Sequence, residues 1–411
     1  MPDPDRREFI VAAAGALAGF AIVPDLALAG TRRAAAAHTT AVVGVGRQGR
    51  AIIAELQKID GVTIAAIADS DASRRSAGER RVPGAAAYGS VEELLDKSPA
   101  VESVFVATPT HRHKEVALAA LAAGKHVWCE APLAHTVEDA RAIAAAARAS
   151  SRVFQPGLLA RSNPVYQLAR TFYKSDAFRT LVAMRGVRRQ KTSLRAPASG
   201  PAEEKEKNWH LDPELSIGLA GEWGTHQFDV FHWYTDSLPT SISGGGAVLA
   251  WPDGRTLADT IDLTLRFPSG AALHYEATLG NSYEGRRELF SGMNSAIQLA
   301  WSHGWMFKEA DAATQGWEVY ANRQRFHNDE GITLIAGATK LAEQGKLQEG
   351  VGLPHDSLHY AVLDFLASIA EGKAPATTAE DGLRATVVGI LADRAVRTGT
   401  TVAIDPEMLK S

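Results

Sequence analysis

HTTAVVGVGRQGRAIIAELQKIDGVTIAAIAD, residues His38 to Asp69, is the stretch on which the fold turns. It begins as an apolar strand that ends at Gly44-Val45-Gly46-Arg47-Gln48-Gly49. A helix follows from Arg47 to about Lys58, with Ile52, Ile53 and Leu56 on one face, and then a second strand from Val62 to Ala68. Asp69 comes about 20 residues after the last glycine, which completes the spacing of a dinucleotide-binding turn. Each residue type has its own task. Gly44 permits the tight turn, Gly46 lets a pyrophosphate approach the backbone, and Gly49 lets helix pack on strand. The helix N-terminus, at Arg47 and Gln48, presents free N–H groups and a positive dipole end. Asp69 can accept from both ribose hydroxyls and would repel a 2′-phosphate, so NAD is favoured over NADP, although Arg74 and Arg75 follow closely.

Beyond this unit the alternation of strand and helix continues. A strand over Val101 to Ala107 leads into Thr108-Pro109-Thr110-His111-Arg112-His113 and an alanine-rich helix that stops at Gly124. Another strand, Val127 to Glu130, meets the turn Glu130-Ala131-Pro132 and the helix Val137 to Ala149, and a last strand lies near Val153 to Gln155. Such repetition predicts a parallel sheet whose ligand sits at the carboxyl ends of its strands. Thr108, Pro109, His113, Glu130 and Ala131 therefore share one edge with the glycine turn. From about Gly157 longer alternating segments take over: Leu181 to Val187, Ala258 to Phe267 and Ala271 to Thr278. The last two are joined by Pro268-Ser269-Gly270, the mark of a hairpin in an antiparallel sheet. The expected organisation is α/β, with a Rossmann domain over 38–156 and a second domain over 157–411 that closes with amphipathic helices, Ser357 to Glu371 and Asp381 to Arg397.

At 411 residues the chain exceeds the ~250–300 that one core supports, which predicts two domains and a cleft between them. A net charge of -4 offers no basic field for nucleic acid, so a small-molecule partner is expected. The first residues place Arg6-Arg7 before an apolar run to Val23 and then Ala27-Leu28-Ala29, the outline of a twin-arginine export signal over 1–29 and a linker over 30–37. The apolar run is shorter than the ~20 residues of a bilayer span, so no membrane anchor is expected after processing. Asp5 and the missing lysine after Ile10 depart from the usual pattern. The single cysteine, Cys129, excludes an intramolecular disulfide. Export of a folded protein to a periplasm without free nicotinamide nucleotides requires that any cofactor travel with it.

Taken in order, Gly44-x-Gly46-x-x-Gly49, Asp69, Thr108-Pro-x-x-x-His113, AGKHVWCEAPLA, Glu222-x-x-x-His226 and the Phe267-Pro-Ser-Gly270 hairpin resemble the glucose-fructose oxidoreductase/inositol dehydrogenase family, Gfo/Idh/MocA. The resemblance spans nearly all of the chain after the leader. It implies a C-terminal α+β domain with a mainly antiparallel open sheet, a sugar or cyclitol substrate beside the nicotinamide, and a homo-oligomer, dimer or tetramer. The family's Glu-Lys-Pro falls on Glu130, Ala131 and Pro132, so its lysine is absent. Its acid/histidine pair falls on Glu222 and His226, with Glu in place of the commoner Asp. By the same likeness Glu130 meets the cofactor ribose.

Oxidation of a secondary alcohol needs a base for the hydroxyl proton while hydride leaves the carbon. His226 can serve near neutral pH, and a continuous helix would put Glu222 one turn before it on the same face, able to orient or charge the imidazole. His113 divides evenly between site wall and surface. Arg161, Trp209 and, at lower odds, Tyr166 suit a sugar pocket and equally suit packing. No metal site is expected; His355 and His359 have a ligand spacing without further ligands. Three functions remain open: an exported oxidoreductase with retained NAD, an NAD-dependent glycosidase that ends redox-neutral, and a cofactor-binding pseudoenzyme.

Overall fold

In the computed structural model, residues 37–316, 318, 323–326, 329–335 and 352–410 are described; the expected export signal and nearly all of the linker lie outside them. The strands β1 (His38–Val43), β2 (Val62–Ala68), β3 (Ala86–Tyr88), β4 (Ser103–Val106), β5 (His126–Cys129) and β6 (Phe154–Pro156) form a parallel sheet in the order 3-2-1-4-5-6. Helices α1 (Arg47–Leu56), α2 (Ala72–Arg81), α3 (Val91–Lys97), α4 (His113–Ala122) and α5 (Val137–Ala149) connect them. β4, Ser-Val-Phe-Val, is buried throughout, as a strand covered on both faces must be. The helices start where short polar side chains take up free amides: Ser90 accepts from Glu93 N–H and Thr136 from Asp139 N–H. Strand order reverses between β1 and β4, which opens a crevice at their carboxyl ends.

After α6 (Pro164–Tyr173) a ten-stranded sheet begins. It comprises β7 (Leu181–Arg189), β8 (Ser241–Ala247), β9 (Thr260–Arg266), β10 (Ala272–Thr278), β11 (Arg286–Gly292), β12 (Ser295–Ala300), β13 (His303–Lys308), β14 (Arg323–Phe326), β15 (Asp329–Thr333) and β16 (Val402–Ala403). Its order is 14-15-13-12-11-7-10-9-8-16, with β7 and β10 parallel and the other neighbours antiparallel. The expected hairpin joins β9 to β10, with Arg266 opposite Ala272 and Gly270 at φ 87 donating to the Phe267 carbonyl. Between β7 and β8 run α7 (Pro201–Lys207), α8 (Gly218–Glu222) and α9 (Gly224–Thr235). Phe228 and Phe231 of α9 are buried against this sheet, with the Phe228 and Tyr275 rings 5.0 Å apart.

The chain then returns to its first domain. α10 (Ser357–Glu371) lays Leu358, Ala361, Val362 and Phe365 on Val42, Ile52, Phe105 and Trp128, and the Phe365 ring lies edge-on to Phe105 at 5.3 Å. His359 Nδ1 lies 3.1 Å from Glu55 Oε2 of α1, a polar tie beside that apolar contact. α11 (Ala379–Thr398) links the halves: the Thr386 hydroxyl accepts from Leu133 N–H, beside the Glu130-Ala131-Pro132 turn. The turn is thus held by two parts of the chain far apart in sequence. Among the described residues no helix is long and apolar enough to cross a membrane.

Candidate active site

At the nucleotide edge, backbone geometry decides everything. Gly44 has φ 89, and a Cβ there would lie 2.5 Å from the Ala107 carbonyl oxygen. A Cβ at Gly49 would lie 1.9 Å from the Gly44 carbonyl oxygen, so helix and turn can meet only over a glycine. Gly46 is the opposite case, with no atom within 4 Å of where its Cβ would be. No side chain caps the N-terminus of α1 there, so its free amides face open space, as a pyrophosphate requires. Asp69 accepts from Val45 N–H at 2.8 Å and from Asp71 N–H at 2.9 Å, which fixes its carboxylate at the end of β2. A cleft of about 1130 Å³ runs along this edge, walled by Gly46, Arg47, Gln48, Asp69, Thr108 and Pro109 and closed on the far side by α7 and Trp209. These residues fit a dinucleotide.

Glu130 joins that edge to the next one. Its Oε1 accepts from Gln48 Nε2 at 3.2 Å and Trp128 Nε1 at 2.9 Å, and burial pushes its carboxyl up to about 7 against those two hydrogen bonds. Ala131 follows, partly exposed, and the ring of His226 comes up against its backbone. Burial first, then the charges of Arg286 and Arg188, press His226 down to about 3, so its imidazole is neutral at physiological pH. The missing lysine leaves a histidine against the bare turn.

The expected Glu222–His226 pair does not form. The helix is interrupted at Trp223, between α8 and α9, so the two residues do not share a continuous helical face. Glu222 instead accepts from the Thr110 hydroxyl at 2.8 Å, the Ser216 hydroxyl at 3.3 Å and Ile217 N–H at 3.4 Å. It fastens the Thr108–Thr110 loop to the second domain, and burial raises its carboxyl to about 7. His113 is likewise a tie rather than a reacting group. It is 2% exposed, and its two ring nitrogens each lie 2.9 Å from a carbonyl oxygen, of Pro132 and of Thr108.

Two of the residues that suited a sugar pocket are committed to packing. The Arg161 guanidinium makes a bidentate pair with Asp229, at 3.1 and 2.7 Å, and reaches Asp381 at 3.1 Å. Tyr166 is fully buried and donates to Glu288 at 2.5 Å. Trp209 does face the cleft, its ring 5.7 Å from that of His111, which burial and then the neighbouring His135 push down to about 4. Reading the sequence missed α7 as a cleft wall, the Trp128 contact to Glu130, and the two arginines that act on His226. The strand arginines carry no local motif, and only the sheet register brings them together.

Residues 38–158 match the description "Oxidoreductase family, NAD-binding Rossmann fold" and residues 166–297 match "GFO/IDH/MocA C-terminal domain". The chain belongs to the Gfo/Idh/MocA oxidoreductase family. As a Gfo/Idh/MocA member it is an NAD-dependent oxidoreductase, and the glycine turn with Asp69 is where NAD fits. Myo-inositol 2-dehydrogenase of Thermotoga maritima is 23% identical over 366 residues, 89% of this chain and 98% of that protein. Two solved structures share the fold. Levoglucosan dehydrogenase in complex with NADH and L-sorbose has a TM-score of 0.72 at 20% identity, covering 90% of this chain and 99% of the other. Aldose-aldose oxidoreductase from Caulobacter crescentus, complexed with glycerol, has a TM-score of 0.68 at 18% identity, covering 89% and 99%.

Proposed function

We propose that this Gfo/Idh/MocA enzyme oxidises a secondary hydroxyl of a sugar, sugar derivative or cyclitol, that it keeps its NAD bound from one turnover to the next, and that it works outside the cytoplasm. The observation that carries the reading is the neutral His226 imidazole lying against the backbone of Ala131, next to the carboxyl end of β5. NAD held along the Gly44–Gly49 turn and by Asp69 would supply the hydride acceptor for the carbinol carbon. His226 takes the hydroxyl proton as the C=O bond forms, and the Ala131 turn leaves room where an amine would otherwise stand. Glu222 and His113 act through position, holding the Thr108 loop and the Pro132 turn together.

The names of the relatives support the substrate class, since they refer to inositol, levoglucosan and aldoses. The twin-arginine outline supports retention, because a secreted dehydrogenase that released NADH would stall. Regeneration then needs a second, reducible substrate in the same site. A second reading, the redox-neutral glycosidase, is favoured by the same twin-arginine outline, because it returns the cofactor to its starting state within each turnover. Denaturing the purified protein is expected to liberate close to one dinucleotide per chain; an empty supernatant would count against retention. Reduced-nicotinamide absorbance on adding free sugars supports the oxidoreductase, whereas aglycone release from aryl glycosides without net absorbance change supports the glycosidase. Neither response would leave only a cofactor-binding protein.

A further inference from the structure

Beside His226 the second domain carries positive charge that the oxidation of a neutral polyol does not use. Arg188 of β7 and Arg286 of β11 stand directly opposite each other in the antiparallel register, so their side chains leave the sheet on one face. Like charges in that relation repel, and the two are compensated unequally. Arg286 Nε lies 3.0 Å from Glu288 Oε1 and its guanidinium covers the Trp301 ring at 3.8 Å, yet its Nη2 is buried without a hydrogen-bond partner. The other oxygen of Glu288 is taken by the Tyr166 hydroxyl. Among the described residues no carboxylate lies within ion-pair distance of Arg188, whose guanidinium rests over the Trp223 ring at 4.8 Å.

A third unsatisfied group belongs to the same patch. Tyr275 faces Gly186 across the β10–β7 pair, two residues from Arg188 and therefore on the same face, and its hydroxyl is buried without a partner. Gly186 leaves this corner open to ring atoms alone: a Cβ there would lie 2.9 Å from the Tyr275 ring and 3.1 Å from Phe231. His226 lies within reach of the field of both arginines, and Arg188 also feels Arg47 of the glycine turn. The patch therefore lies on the sheet face that α9 covers, the helix that carries His226.

We propose that Arg188, with Nη2 of Arg286 and the Tyr275 hydroxyl, forms an anion subsite that takes the carboxylate or phosphate of an acidic sugar and thereby presents a neighbouring hydroxyl to His226. A guanidinium poorly solvated and without a counter-ion costs free energy that a bound oxyanion returns through charge-assisted hydrogen bonds. In keeping with this, burial and Arg286 lower Arg188 to about 10. The subsite also bears on the base. An anion bound there offsets the two charges that add to burial in holding His226 at about 3, and so moves the imidazole part of the way back towards the range where it accepts a proton effectively. The inference takes the hydride-transfer reading as given for the reaction, but the binding it predicts is independent of turnover.

The test is calorimetric titration of the purified protein with glucose, myo-inositol, glucuronate and glucose 6-phosphate, with nicotinamide absorbance followed in parallel. At least one acid is expected to bind about tenfold or more tightly than the neutral sugars, and added salt should narrow the gap. A preference for glucuronate alone assigns a carboxylate, for glucose 6-phosphate alone a phosphate. Arg188→Gln should abolish the preference, Arg188→Lys should keep part of it, and the melting temperature of Arg188→Gln should equal or exceed that of the wild type. Equal binding of acids and neutral sugars, or no binding of any of the four, would overturn the subsite. So would an Arg188→Gln protein that loses NAD while its acid preference stays intact, which would give the guanidinium to the cofactor's pyrophosphate. Acid binding without absorbance change keeps the subsite and sinks hydride transfer; reduction by neutral sugars with no acid preference does the reverse.

Discussion

The two edges of the cleft are built on different terms. At Gly44–Asp69 the backbone itself is the binding surface, and residue choice is governed by what a Cβ would strike or leave open. At Ala131–His226 the backbone turns at the cis Ala131–Pro132 peptide, and the properties of the site come from burial and from charges on a sheet belonging to the other domain. The first kind of site tolerates almost no change in shape; the second tolerates shape change but responds to any change in charge. This contrast says where mutations should act on folding, where on binding and where on rate.

The largest effect should come from Gly49→Ala, whose Cβ would meet the Gly44 carbonyl oxygen at 1.9 Å. A loss on the order of 3–5 kcal/mol of stability is expected, read from denaturant unfolding. Gly46→Ala provides the control within the same turn. Nothing lies within 4 Å of its Cβ position, so the protein should fold with an unchanged melting temperature yet carry less dinucleotide. If both variants folded equally well, the steric account of the nucleotide edge would be broken.

Arg161→Ala comes next, because it would leave Asp229 and Asp381 without their shared partner. A destabilisation of about 3–5 kcal/mol is expected with KM for any sugar unchanged. A raised KM with normal stability would return Arg161 to the substrate pocket. Glu130→Gln should have a smaller effect that depends on pH. The folded carboxyl sits at about 7 against an ordinary 4.5, so its contribution is fully present below 4.5 and is lost as pH rises through 7. The variant should therefore gain on the wild type between pH 5 and 8 by up to about 3 kcal/mol, measured by paired unfolding curves. A difference that does not change over that range would mean the carboxyl is not perturbed.

The same contrast explains which parts of the molecule are legible in its sequence. Steric rules operate over a few neighbouring residues, so Gly44, Gly46, Gly49 and Asp69 announce the Rossmann edge in a single stretch, and the Phe267–Gly270 hairpin announces the second sheet. β8, with Gly244, Gly245 and Gly246 in a row, does not read as a strand, because glycine is depleted from strands and gives no alternation. Glu222 and His226 have the spacing of a helical pair, and the spacing misleads because the helix restarts after Trp223. Gly221 and Gly224 flank that break, and they were the available sign of it. Arg188, Arg286 and Tyr275 come from three strands and converge only through register, a property that no local pattern records.

The central claim is that His226 accepts the substrate proton in a site that has alanine in place of lysine. It is tested most directly by mixing sugars with the NAD-loaded protein in single-turnover mode and following nicotinamide reduction in the wild type and in His226→Ala. The account predicts a rate about 10²–10⁴-fold lower in the variant, with dinucleotide content and melting temperature essentially retained. Reduction by His226→Ala at the wild-type rate would contradict it.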